Sequence, residues 1–524
     1  VSSVAQKTTS ITLAWSAPNV TTGAAVSTYL VYRNDGVSGA VTTVAYNGSA
    51  TGATLGGLVG GRTYKLAVSG LSGAGEGDRS ATLAQSTAPG VPGTPKSTVQ
   101  TASAITLSWS APSTGSGAKV AAYRVYESTS SGMVQRQNTT GATSATVSGL
   151  AGGVQYVYVV SALSAAGEGD TSVALNQSTA PALVTNVTSS HQSTSTITLQ
   201  WAAPATPATA TAGAAVKGYK VYRRVVHDLD DVVGSGKTSQ KVLSHFFDKA
   251  SKSLVVDSLV YDGSGSTNTS VVLGNLTGGV LYQYVVGAVS AAGEGFRSTV
   301  ASVSTSPAAP TQLASVSHTA GSVALKWAAP AAKTGAGVSG YVVYRDDGAG
   351  GAVTTVAYDG RASTTTGGTV TGLSGGRTYV FAVSAFSAGG EGDRTATVRV
   401  STAPGVSASM SSVAQTTSSI TLAWQAPATQ GDAAVTGYRV YRSDGEGGTT
   451  LETVAYDGSK SNSTGGVVSG LAGGRLYSFV VSAFSTSGEG NRSAVISQST
   501  AAPAISNVSS VAQKTTSITL AWSA

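Results

Sequence analysis

Apolar and polar positions alternate in short runs along this chain, and the runs are punctuated by glycine, proline and asparagine. Ile11, Leu13 and Trp15 are separated by Thr12 and Ala14, the two-residue period of a strand with one buried face. Ala17-Pro18 ends that strand, because proline cannot extend a ladder. Tyr29–Arg33 predicts the next strand, and Asn34-Asp35-Gly36 behind it is a hairpin signal. Val44-Ala45-Tyr46 then runs into Asn47-Gly48, which reads as a second turn. Leu58–Tyr64 opens a further strand with Tyr64, Leu66 and Val68 on one face. Gly73–Gly77 turns the chain, Ser80–Ala84 is the last strand, and Ser86-Thr87-Ala88-Pro89 is a linker.

The same order then returns. Val1–Ala17 reappears without a change at Val508–Ala524, and near-copies end at Trp109, Trp201, Trp327 and Trp424, so every tryptophan belongs to this element. The interval between copies is about one hundred residues, the third being longer. Leu-x-Gly-Gly-x-x-Tyr recurs at Leu58–Tyr64, Leu150–Tyr156, Leu276–Tyr282, Leu373–Tyr379 and Leu471–Tyr477. A Gly-Glu-Gly turn recurs around Glu76, Glu168, Glu294, Glu391 and Glu489. About seven short alternating strands per repeat, with turns every 8–12 residues, predict an all-β chain of tandem sandwiches.

These landmarks resemble the fibronectin type III family: the strand-B tryptophan, the Tyr-x-Val-Tyr strand, the Leu-to-Tyr corner, the Gly-Glu-Gly turn and the proline linkers. The resemblance implies a tandem array of seven-stranded, immunoglobulin-like β-sandwiches, five complete plus the first strands of a sixth. The expected boundaries are residues 1–90, 91–181, 182–307 with an insert at about 223–259, 308–404, 405–503 and 504–524. It also implies that each tryptophan bridges two sheets and that the corner tyrosine hydroxyl returns to the backbone. Gly-Gly stands in the corner where the family often has proline, which should loosen that turn, and no Arg-Gly-Asp occurs. Two strands cannot bury an apolar face alone. The closing copy is therefore expected to open a sixth repeat, or else to complete a sheet elsewhere by strand addition.

Composition narrows the functional classes. Hydrophobic residues make up 41% of the chain and charged residues 10%, a balance that suits folded β-structure and not a disordered tract. The net charge of +7 is spread thinly, with no basic run longer than Arg223-Arg224, so no nucleic-acid partner is expected. No apolar run reaches the roughly 18 residues of a membrane helix. The absence of cysteine excludes disulfides, thiol nucleophiles and cysteine–zinc sites.

Candidate sites are few. Ten of the eleven asparagines stand in Asn-x-Ser/Thr: Asn19, Asn47, Asn138, Asn176, Asn186, Asn268, Asn275, Asn462, Asn491 and Asn507. Chance in a chain this rich in Ser and Thr gives roughly three, so N-linked glycans are expected on several. The insert of the third repeat carries His227, Asp228, Asp230, Asp231, His245 and Asp248, but their spacing matches no ligand motif, and an exposed charged loop is the expected reading. Within it, Val242, Leu243, Phe246 and Phe247 would form one face of a short helix or part of an extended hairpin, the expected interaction site. The Asp-Gly positions Asp35, Asp347 and Asp444, and the Tyr-Asp-Gly positions Asp262, Asp359 and Asp457, suit turn chemistry better than calcium. No Ser/His/Asp or carboxylate arrangement suggests catalysis, and no cofactor or metal is expected. The expected function is an extracellular or cell-surface structural protein, a repetitive stalk or filament whose partners are copies of itself or neighbouring filament proteins. The alternatives are an adhesin or receptor stalk using the insert, and a spacer array of a secreted carbohydrate-active enzyme.

Overall fold

The computed structural model describes residues 1–113, 115–205, 211–228, 247–248, 253–428 and 433–523. In the first repeat the strands are β1 (Ser2–Gln6), β2 (Ile11–Ala14), β3 (Val26–Arg33), β4 (Thr43–Gly48), β5 (Gly52–Leu55), β6 (Thr63–Ser72), β7 (Gly75–Glu76) and β8 (Leu83–Ser86). One sheet has the order β1-β2-β5; the other runs β4-β3-β6-β7, with β8 also on β6. All pairs are antiparallel. The alternating pattern is the cause: Ile11, Leu13 and Trp15 point into the space between the sheets and meet Tyr29, Val31, Leu55, Tyr64 and Leu66. On the outer face Thr12 and Thr54 hydrogen-bond across the strands at 3.0 Å, and Thr106 and Thr146 do so at 2.9 Å in the second repeat.

Three details depart from the pattern-based expectation. Asn47-Gly48 lies inside β4, opposite Leu30 and Tyr29, and the chain turns only after it. The alternating pattern does not mark the four-residue β5, because Gly52-Ala53-Thr54-Leu55 offers too few apolar positions. The last strand begins at Leu83, not Ser80. The Ser80 hydroxyl instead accepts the Val68 amide at 3.0 Å while its own amide donates to the Val68 carbonyl, holding the approach to the strand against β6.

The chain divides into two compact parts, Val1–Thr188 with Leu199–Val271 and Gln283–Ala301, and Ser189–Thr198 with Val272–Tyr282 and Ser302–Ala524. The first holds the sandwiches of repeats one and two and most of the six-stranded sheet of repeat three, where Val216–Asp228 pairs with Ser253–Gly263. The second holds the sandwiches of repeats four and five, each with its own core around Trp327 or Trp424. Five tryptophans meet a tyrosine on strand three edge-on or tilted, at 5.3–5.7 Å between ring centres. The edge strand β1 carries a bulge between Ser3 and Ala5, repeated at Ser315/Ser317 and Ser412/Ala414. Such bulges blunt an otherwise pairable sheet edge.

Ser506–Lys514 and Ser517–Ser523 form a two-stranded hairpin with the sequence of β1 and β2. There Trp522 is 59% exposed, whereas Trp15, in identical local sequence, is 9% exposed. The local sequence suffices for the hairpin; burial needs the other strands of a repeat.

Candidate functional site

The residues that recur most strictly converge on the corner before the long strand β6 and its equivalents. The corner tyrosine hydroxyl accepts a backbone amide five residues upstream in all five repeats: Val59 to Tyr64 at 2.9 Å, Ala151 to Tyr156 at 2.8 Å, Thr277 to Tyr282 at 2.8 Å, Ser374 to Tyr379 at 3.0 Å and Ala472 to Tyr477 at 3.0 Å. This is the arch the family resemblance implies.

The Ser-Thr-Ala-Pro segment, expected as a linker, is part of the same corner. Its threonine is buried in each repeat (Thr87, Thr179, Thr305, Thr402 and Thr500). Each hydroxyl donates to the carbonyl of the residue after the corner leucine: Val59, Ala151, Thr277, Ser374 and Ala472, at 2.7–2.8 Å. Each also accepts the amide that opens the long strand, at 3.0–3.1 Å. A hydroxyl has both functions to offer, which is why this position needs Ser or Thr. The threonine is marked in the sequence by Ser-Thr ahead of Ala-Pro, Ser-Pro or, in the fifth repeat, Ala-Ala-Pro, at a fixed distance from the corner, but the linker-like composition hides it.

The Gly-Glu-Gly turn is anchored from its centre. Glu76 accepts the Tyr32 hydroxyl at 2.8 Å and the Ser69 hydroxyl at 2.7 Å. Tyr344 and Ser384 do the same for Glu391, and Tyr441 and Ser482 for Glu489. Tyr126 and Ser161 bind Glu168, joined there by Arg124 at 2.5 Å. In repeat three Gly287 replaces the serine, and Tyr222 alone of the pair remains, at 2.7 Å from Glu294. An arginine guanidinium lies over the tyrosine ring at 3.4–4.0 Å in four repeats: Arg79 on Tyr32, Arg297 on Tyr222, Arg394 on Tyr344 and Arg492 on Tyr441. The Ser69 and Tyr32 hydroxyls hold the Glu76 carboxyl below its ordinary value. Burial, with help from Glu294, pushes the Tyr222 phenol up to about 12. These groups are committed to one another, so the network fixes a turn.

All ten sequon asparagines are exposed, and Asn186, Asn275 and Asn507 have φ of 53°, 57° and 53°. Asp35 accepts the amides of Val37, Ser38 and Gly39 at 2.8–3.1 Å, and Asp347 and Asp444 accept equivalent amides, so their carboxylates close their own turns. Val37 and Gly39 hold the Asp35 carboxyl below its ordinary value. In the insert, Val242, Leu243 and Phe246 lie outside the described residues, as do Asp230, Asp231 and His245. Phe247-Asp248 forms a short strand paired with Leu254-Ser253, the extended-hairpin alternative at that point. At the base of the hairpin Arg224 grips Asp257 at 2.8 and 3.0 Å, and Arg297 adds a contact at 3.1 Å. Among the described residues no group of three His, Asp or Glu is placed to hold a metal ion, and no helix is long and apolar enough to cross a membrane.

The profile of the Fibronectin type III domain family matches residues 1–86, 90–178, 180–304, 308–401 and 403–499. Chitinase A1 of Niallia circulans is 39% identical over 146 residues, which cover 26% of this chain and 19% of that enzyme. Exoglucanase B of Cellulomonas fimi is 29% identical over 327 residues, covering 59% of this chain and 25% of the relative. The chain thus spans about a fifth to a quarter of the length of these curated relatives. Among solved structures, the chicken CNTN1 FN1–FN3 domains match 60% of this chain and 99% of their own length, at 16% identity and a TM-score of 0.24. A two-domain fibronectin type III segment of chicken tenascin covers 36% of this chain and 99% of its own, at 22% identity and a TM-score of 0.20.

Proposed function

Because the chain belongs to the Fibronectin type III domain family in five consecutive stretches, we propose that it acts as a non-catalytic extracellular array, a stalk that holds other parts of an assembly apart. The observation that carries this reading is the use made of the recurring polar residues. The corner tyrosine, the clamp threonine and the turn glutamate are spent on hydrogen bonds within their own repeat, five times over. Nothing in that set is left to bind or transform a small molecule. Fold alone does not decide function, since this sandwich supports many. Here the recurring chemistry is itself architectural.

Small-angle scattering of the whole chain tests the stalk. A single globule of this length has a radius of gyration of about 24 Å. A ten-residue strand spans about 33 Å, so five sandwiches end to end approach 160 Å and give a radius of gyration of about 45 Å. A value near the globular one would refute the reading.

Similarity to a chitinase and an exoglucanase favours one specific setting, a spacer in a secreted polysaccharide-degrading protein. The filament setting rests on the repetition of Val1–Ala17 at Val508–Ala524 and on the exposed sequons. Glycopeptide mass spectrometry of native material separates the two: hexose on several of the ten asparagines supports the glycosylated filament, and bare asparagines support the spacer.

A further inference from the structure

The corner glycines have a second use, and it points outward to the following repeat. Gly61, Gly153 and Gly279 are the second glycines of their corners, with φ of 69°, 70° and 72°, a conformation that costs other residues free energy. Each donates its amide back to the residue before the linker proline: to Ala88, Ala180 and Ser306, at 2.8 Å. Each carbonyl points the other way and accepts an amide from the next repeat. Gly117 donates to Gly61 at 2.9 Å, Gly213 to Gly153 at 2.8 Å and Gly335 to Gly279 at 2.9 Å.

The donors lie in the loop between strands two and three of the next repeat, and they too must be glycine. A Cβ on Gly117 would fall 2.4 Å from the Gly61 carbonyl, one on Gly335 2.4 Å from that of Gly279, and one on Gly213 2.8 Å from Gly153. A second point of contact recurs at the far side of the linker. The last glycine of each Gly-Glu-Gly turn backs onto the carbonyl of the proline that precedes its own repeat. A Cβ would lie 2.3 Å from the Pro89 carbonyl at Gly169, 2.1 Å from Pro181 at Gly295, 2.0 Å from Pro307 at Gly392 and 2.3 Å from Pro404 at Gly490. Gly77, the same position in the first repeat, meets only the Gly70 carbonyl of its own repeat, at 3.5 Å.

Side-chain bonds surround these points. Ser116 accepts the Thr63 amide at 3.2 Å and donates to the Gly36 carbonyl at 2.7 Å. Thr8 accepts the Asp170 amide at 2.7 Å, and the equivalent Thr194 donates to Asp393 at 2.6 Å.

We propose that the Gly-Gly corner with its linker proline is a docking surface for the succeeding repeat, and that the partner it fits is a sandwich with glycine at both contact points. The joint is then fixed by two backbone seats, not hinged on a flexible linker. This inference deepens the stalk reading and rests on it. It also reverses the expectation that Gly-Gly loosens the corner: the glycines admit a neighbouring backbone that a side chain would hold off.

The absence of cysteine from the chain makes the test direct. Val44→Cys and Met133→Cys, both exposed, place one spin label in each of the first two repeats of the full chain. Double electron–electron resonance is expected to return one narrow distance distribution. Gly117→Ala together with Gly169→Ala should broaden it at least twofold, because neither position has a left-handed backbone and the added methyl strikes only the joint. Gly77→Ala should leave it unchanged. A label pair within repeat two reports whether that sandwich remains folded. If the double variant unfolds it, Gly213→Ala with Gly295→Ala, read between labels at Met133→Cys and the exposed Val260→Cys of repeat three, supplies the same reading at the next joint. A broad distribution in the parent chain, or one that the double substitution leaves unaltered, overturns the docking surface. A hinged array would still scatter as an extended chain, so that outcome leaves the stalk standing, whereas a compact radius of gyration removes the stalk itself.

Discussion

Replacing the clamp threonine of repeat two with valine separates its hydroxyl from its bulk. Thr179 is fully buried, and valine matches its shape, so Thr179→Val changes chemistry with little change in volume. The hydroxyl accepts the Val154 amide at 3.1 Å and donates to the Ala151 carbonyl at 2.7 Å. Ala151 is exposed, so water can serve its carbonyl after the substitution. Val154 is 4% exposed, so its amide keeps no such option. A buried donor left without an acceptor costs about 1–3 kcal/mol, and this loss dominates. The midpoint, about 2 kcal/mol, corresponds to roughly 30-fold in local protection, and to a fall of about 8–16 °C in the transition of a domain this size. Amide hydrogen exchange on the full chain reads the effect where it arises, at Val154 and the first residues of Gln155–Ser164. Thr179→Ser keeps the hydroxyl and should preserve protection at Val154, losing only a methyl group. Unchanged exchange in Thr179→Val, or a larger loss in Thr179→Ser, would show that the position serves packing and would refute the clamp.

Other substitutions test other levels of the same structure. Trp15→Ala should cost about 3–5 kcal/mol, while Trp522→Ala, in the same local sequence but 59% exposed, should stay within about 0.5 kcal/mol; thermal unfolding of the two variants gives the comparison. The Glu76 carboxyl is held below its ordinary value of 4.5 by Ser69 and then Tyr32. Its contribution is therefore present above that pH and is lost as pH falls through the lower folded value; exchange at Gly75–Gly77 should rise in acid, and Ser69→Ala should flatten that dependence. The Tyr222 phenol, raised to about 12 by burial and Glu294, favours the folded state below 10 and loses that advantage as pH climbs toward 12. An ultraviolet titration should show one late phenol missing from Tyr222→Phe. Replacing residues 229–252 with Asn-Gly should leave repeat three folded, because Asp228 already pairs with Ser253; if the insert is an interaction site, self-association or partner binding disappears with it, and unchanged binding would remove that proposal.

Much of the fold was legible because the sandwich is encoded by period. Ile11, Leu13 and Trp15 declare their buried face two residues apart, and the corner tyrosine follows its leucine at a fixed distance in every repeat. The features that the pattern does not mark are short or polar. β5 has four residues and one glycine, and no two-residue period is visible in so little chain. Asn47-Gly48 carries the composition of a hairpin turn, yet the tertiary pairing with Tyr29 and Leu30 holds it extended. Thr87 and its counterparts were hidden for a different reason. Their bonds reach 25 and 28 residues back along the chain, and a hydroxyl offers no pattern of its own until its partner is known.

Charged residues are 10% of the chain, and glycine, serine and threonine stand where a typical soluble domain places charge. In the corner and the turn, each of these small residues meets a backbone group directly: Thr87 two carbonyls and an amide, Ser80 both backbone groups of Val68, Gly61 an amide donated from the next repeat. Bonds of this kind are short in reach and weakly dependent on ionic strength, whereas exposed ion pairs are screened by salt. They also fix geometry closely, because a hydroxyl or a bare glycine leaves little side chain to rearrange. The sequence bias toward Gly, Ser and Thr is thus the chemical counterpart of a repeating backbone-to-backbone architecture, in which position along the chain is specified by small residues at corners while the tryptophans and tyrosines supply the cores between them.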